Sequence, residues 1–242
     1  MQRSSSPLVG GFRPRRPRSL RPLMAGMLIC LLAAIFAAPV AAKSKSEKRS
    51  EAQKYLRLGQ IHFEQGKTLE AIEALKKAIA IDGDLAEAHN YLGLIYLQKS
   101  QFKEARRELK KSVAINPYFT DGYNNLGIAY REEGNFDSAI AAFEKALQDR
   151  AYGAPERIHL NLGYTYLARG DAAAAVPHFE KAVTLNAKYL LGYLGLGKAY
   201  QKAGRADLAQ KSLRKVVALG PDTSEAAEAR LILSQQAPRD GA

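Results

Sequence analysis

Between residues 52 and 223 the apolar and polar positions repeat with a period near 34 residues. Leu-Gly recurs at Leu58-Gly59, Leu92-Gly93, Leu126-Gly127, Leu162-Gly163 and Leu196-Gly197, and the glycines are spaced 34, 34, 36 and 34 apart. Three residues after each glycine stands a ring: His62, Tyr96, Tyr130, Tyr166 or Tyr200. Twelve after stands Ala71, Ala105, Ala139, Ala175 or Ala209, and sixteen after stands Leu75, Leu109, Phe143, Phe179 or Leu213. Seven after each glycine comes a turn residue: Gly66, Gly134, Gly170 and Gly204, with Ser100 in the remaining copy. Each unit therefore reads as a helix, a glycine-centred turn and a second helix. A glycine inside a helix costs roughly 1 kcal/mol relative to Ala. Five of them imply that each lets a neighbouring helix approach closely.

The units run 52–85, 86–119, 120–153, 156–189 and 190–223. Asn116-Pro117 and Gly220-Pro221 close two of them. Asp222-Thr223-Ser224-Glu225 is a helix-start signal, so 224–236 is predicted to be a helix that caps the last unit, and 237–242 a disordered polar tail. Pro177 falls past the first turn of a predicted helix and is expected to kink it.

Five registered copies resemble the tetratricopeptide repeat (TPR). The resemblance implies an all-α fold, a right-handed superhelical solenoid of about five helix-turn-helix repeats plus a C-terminal capping helix. No unit can bury its faces alone, so stacking makes the core.

Charge changes the picture only at the N-terminus. The 242 residues carry 36 Lys and Arg against 24 Asp and Glu, a net +12. Residues 1–42 hold six Arg and no acid, which leaves thirty basic against 24 acidic residues, or +6, over the remainder. Half of the net charge thus belongs to a leader. Nucleic acid is not an expected partner, because the remaining cations do not line one face with aromatics between them. Arg13 to Arg21 precede an uncharged apolar run, Leu23 to Ala38, and Val40 and Ala42 fit the small-residue rule for signal peptidase. Residues 1–42 read as a signal peptide or an uncleaved anchor, which keeps membrane association through this segment open. Either fate exports the body, to the periplasm with or without attachment to the inner or outer membrane. Residues 43–51 read as a flexible linker.

Catalytic chemistry has no candidate. The single cysteine, Cys30, sits inside the leader. Gly192 to Ala199 nearly spells a phosphate loop but ends in Ala where Ser or Thr holds magnesium, and it lies within a predicted helix. His62, His89, His159 and His178 lack helical metal-site spacing, and the first three stand in slots that Tyr fills in other units. No cofactor and no enzyme activity are expected.

In TPR proteins the first helices line a concave groove. Transferred onto this sequence, that lining includes Asn90, Tyr91, Leu94, Asn124, Asn125, Ile128, Leu160, Asn161, Tyr164, Leu167, Leu194 and Lys198. Its apolar members predict a protein-binding surface. The asparagine amides are expected to read a peptide backbone, since an amide donates and accepts at once. Tyr152 to Glu156, with Pro155, resembles the Tyr-x-x-Pro-Glu connection of pilotin-like type IV pilus biogenesis proteins. That resemblance implies a role in secretin assembly or localisation, with a secretin or another pilus or envelope component as partner. The alternative is a periplasmic scaffold for another envelope machine, such as polysaccharide export or cytochrome maturation.

Overall fold

A computed structural model describes residues 43–236, and all its regular structure is helical. The helices are α1 (Lys45–Glu64), α2 (Thr68–Ile81), α3 (Ala86–Gln98), α4 (Phe102–Ile115), α5 (Thr120–Glu132), α6 (Phe136–Ala146), α7 (Pro155–Arg169), α8 (Ala172–Leu185), α9 (Leu190–Lys202), α10 (Ala206–Leu219) and α11 (Ser224–Gln236). They form five antiparallel pairs and a last single helix. The expectations for residues 1–42 and 237–242 lie outside the described residues. Among the described residues no helix is long and apolar enough to cross a membrane.

The repeat glycines act by close approach. A Cβ on Gly127 would stand 2.6 Å from the ring of Phe143, and one on Gly163 2.7 Å from the ring of Phe179. The clash is with the residue sixteen positions on, so the glycine and its large partner bring the two helices of one unit together. Overpacking of this kind costs about 1–3 kcal/mol, which exceeds the roughly 1 kcal/mol that Ala would gain in helix propensity. The rings and leucines beneath are fully buried, Phe143, Phe179, Leu75, Leu109 and Leu213 among them.

The turns between paired helices share one backbone form. Gly66, Gly134, Gly170 and Gly204 have φ of 71° to 92°, and Ser100 is the one non-glycine residue with positive φ, at 55°, among the described residues. Two helices gain a side-chain N-cap: Asp171 accepts from the Ala174 amide at 2.9 Å before α8, and the Thr223 hydroxyl from the Ala226 amide at 3.2 Å before α11.

Adjacent units are joined asymmetrically. First helices touch first helices of the next unit (α1 with α3, α3 with α5, α5 with α7, α7 with α9), whereas second helices touch only first helices and the cap. The first helices therefore form the inner layer of a solenoid and the second helices the outer one. The core follows this order as successive clusters, each spanning a unit boundary or one unit.

One detail differs from the sequence reading. The flexible linker assigned to 43–51 is largely helical, because α1 begins at Lys45. Its Lys, Glu and Arg are good helix formers, and adding residues to an existing helix is far cheaper than starting one. Helix α8 runs through Pro177, which lies inside it. The proline lies on an exposed face, so the i−4 carbonyl it cannot serve, that of Ala173, is likewise at an exposed residue.

Between α6 and α7 the connecting segment is tied to the start of α5. The Tyr152 hydroxyl donates to Asp121 at 2.8 Å, and the Thr120 hydroxyl donates to Asp149 at 2.7 Å. Pro155 then opens α7 in its first turn, where no amide hydrogen is needed.

Candidate partner-binding surface

The inner layer divides the groove residues of the sequence reading into two sets. Tyr91, Leu94, Ile128, Asn161, Tyr164, Leu167 and Lys198 are partly exposed. Asn90, Asn124, Asn125, Leu160 and Leu194 are buried. Neighbouring first helices touch, and that contact covers the second set.

The buried amides bond to one another. Asn161 donates to Asn124 at 2.9 Å, Asn124 to Asn125 at 3.3 Å, and Asn125 to Asn90 at 2.9 Å. The Arg131 guanidinium approaches the Asn161 oxygen at 3.5 Å. The expectation that these asparagines read a bound peptide backbone is thereby corrected for Asn90, Asn124 and Asn125. Their amides form a ladder through three units, where leaving a buried amide unpaired would cost about 1–3 kcal/mol. Only Asn161 keeps partial access.

Most of the predicted groove residues that remain partly exposed are apolar or aromatic, with Asn161 and Lys198 among them. Phe63 meets Tyr91 edge to face at 5.7 Å, and Tyr164 meets Phe179 likewise at 5.1 Å. Arg131, Phe136, Leu160, Asn161, Tyr164 and Ala168 line a depression of about 670 Å³ between the third and fourth units. Burial pushes the Tyr164 hydroxyl up to about 12, with a further contribution from Glu228, so it is a neutral donor at any physiological pH. Burial likewise raises Tyr91.

Helix α11 enters this surface in a way the sequence did not signal. It packs on α9 as well as α10. Glu228 takes the Lys198 ammonium at 2.6 Å, so the one lysine of the predicted groove already holds a carboxylate. A glutamate in a presumed capping helix carries no mark of which side it faces, and only the packing angle of α11 reveals it.

Two of the histidines, His89 and His159, fall on one repeat position. His89 pairs with Glu108 at 2.8 Å, both buried, and Lys111 and Arg107 reach the same carboxylate at 3.2 Å. The hydrogen bond from His89 holds the Glu108 carboxyl at about 2 despite burial. His159 faces His178, Nδ1 to Nδ1, at 3.4 Å. Burial lowers His159 to about 4, and also lowers His178. The near phosphate loop is ordinary helix: Gly192 to Ala199 lies within α9, and a Cβ on Gly197 would meet Leu213 at 2.8 Å.

Models of the tetratricopeptide repeat match residues 59–100, 86–119, 120–188 and 166–232. No curated protein matches the chain. Among solved structures, that of Pseudomonas aeruginosa PilF is 25% identical with a TM-score of 0.64, over 79% of this chain and 94% of PilF. MamA is 25% identical with a TM-score of 0.61, over 70% of this chain and 92% of MamA. PilW, described as a widely conserved type IV pilus biogenesis factor, shares the fold at 17% identity and a TM-score of 0.65, over 78% of this chain and 94% of PilW. Proteins built this way are generally non-catalytic scaffolds that bind protein partners. Five helix pairs closed by glycine contacts, and repeat models matching from residue 59 to residue 232, place this chain in the tetratricopeptide repeat family.

Proposed function

We propose that this chain is an exported scaffold of the bacterial envelope whose inner face captures a segment of a type IV pilus component, with a secretin as the first partner to test. The observation that carries the binding surface is the row of partly exposed apolar side chains on successive first helices: Tyr91, Leu94, Ile128, Tyr164 and Leu167. A contiguous apolar concavity of this kind is costly to leave in water and marks an interaction site. The structural likeness to PilF supports the pilus assignment, and the Arg-rich leader followed by an apolar run supports export. The corrected site narrows the mode of capture. With the amides of Asn90, Asn124 and Asn125 engaged internally, affinity rests on apolar contact and on Tyr164, not on backbone readout.

A deletion strain, solubilised in mild detergent and probed for heat-resistant secretin multimers, tests the role. Loss of multimers with monomer still present, restored by the wild-type gene but not by a folded Leu94→Ala/Tyr164→Ala variant, is the expected result. Unchanged multimers remove the secretin role and turn attention to another envelope machine.

A further inference from the structure

We propose that His159 and His178 form a two-histidine site for a divalent transition-metal ion, bound through their two Nδ1 atoms. The argument begins with a comparison inside the chain. The fourth and twenty-third positions of the five units hold Tyr55 and Ala74, His89 and Glu108, Tyr123 and Ala142, His159 and His178, and Tyr193 and Ser212. Three units solve the packing with a tyrosine over a small residue. The second unit uses an imidazole over a carboxylate, joined by a hydrogen bond of 2.8 Å. The fourth places two imidazoles against each other, so packing alone does not account for it.

The geometry suits a metal better than it suits a hydrogen bond. The two Nδ1 atoms are 3.4 Å apart, beyond the usual 2.7–3.2 Å of an N–H hydrogen bond. Two nitrogens held at about 2.0–2.1 Å from a tetrahedral ion stand roughly 3.3–3.4 Å apart. The His178 ring is held in place: it stacks on Tyr166 at 5.2 Å and 14°, and Arg169 lies 4.8 Å over the other ring of that stack. A ligand locked by packing needs little reordering to bind. Both histidines are only partly buried, which leaves an entry path. Among the described residues no group of three His, Cys, Asp or Glu is gathered, so the ion would keep positions for water or a partner's side chain. Imidazole pairs suit zinc, copper and nickel.

Calorimetric titration of the full chain with zinc chloride alone tests this, with cobalt(II) absorption as a second readout of nitrogen-ligated tetrahedral metal. One ion per chain is expected. His159→Tyr/His178→Ala reproduces the pair that the first and third units already fold around. It should keep the helical signal and bind at least about 100-fold more weakly, beyond the loss from removing an outer-shell partner. His178→Gln should weaken binding in the same direction. No binding by the wild type, or equal binding by wild type and both variants, overturns the proposal.

Discussion

The second and fourth units are laid on the same frame and differ in how they fill it. In the second, the pair His89 and Glu108 is buried, hydrogen-bonded and braced by Lys111 and Arg107. In the fourth, the corresponding pair is two histidines, Lys181 corresponds to Lys111, and Pro177 takes the place of Arg107. The second unit has a serine in its left-handed turn and no side-chain cap on α4, whereas the fourth has Gly170 and the Asp171 cap on α8. The fourth unit thus has the better turn chemistry and the weaker polar pair. Local backbone quality and buried polar satisfaction are separate sources of stability, and one family of repeats distributes them unequally.

The largest expected effect breaks the stronger pair. Glu108→Ala leaves His89 buried without its acceptor and is expected to cost about 3 kcal/mol, measured by urea unfolding. His178→Ala should cost about 1 kcal/mol or less, because the third unit already uses Ala at that place. Equal costs would mean that the two pairs are energetically alike.

Acid separates the same two units by pH. His159 and His178 lie below their ordinary 6.5 in the folded chain, so the unfolded chain binds their protons first. Their contribution is intact above 6.5 and is lost as pH falls towards about 4 for His159. Glu108 sits at about 2 instead of 4.5, so its contribution is intact above 4.5 and is lost only below that. Between pH 7 and pH 5 the loss should therefore come from the fourth unit, about 1–2 kcal/mol after solvent screening. Thermal melts of wild type and His159→Tyr/His178→Ala check it: the double variant should be flat over that interval.

Two smaller effects sharpen the backbone side. Asp171→Ala removes the cap of α8 and should cost about 1 kcal/mol by urea unfolding. Ser100→Gly relieves a left-handed serine that costs roughly 1–2 kcal/mol but adds freedom to the unfolded chain. A gain of about 0.5 kcal/mol in the same assay is the expected balance.

The spacing of Gly127 and Phe143 was legible because their contact lies within one unit, at a fixed sequence separation. The same holds for the turn at Gly170 and for the start of α11 at Ser224, where Gly220-Pro221 and Thr223 mark the boundary. The asparagine ladder was not legible. It depends on which of two adjacent positions, Asn124 or Asn125, faces the preceding unit and which the following one, and periodicity cannot separate neighbours on one helix face. The ion pair of Lys198 with Glu228 depends on the angle at which α11 docks. The helical start at Lys45 was missed because a short polar stretch has the composition of a tether and of an extended helix alike.

The ladder also has a grammar. Its rungs between units join a sixth position to the fifth position of the unit before: Asn125 to Asn90, and Asn161 to Asn124. Removing the third unit whole would bring Asn161 to Asn90 and preserve a well-formed rung. Removing the second would set Asn125 against Leu56, and removing the fourth would set Gly195 against Asn124. An array assembled by duplication is usually thought of as freely editable. Of the three units that carry the ladder, only the middle one can be excised without stranding an amide, and the lineage of such a chain is constrained by its buried side chains as firmly as by its surface.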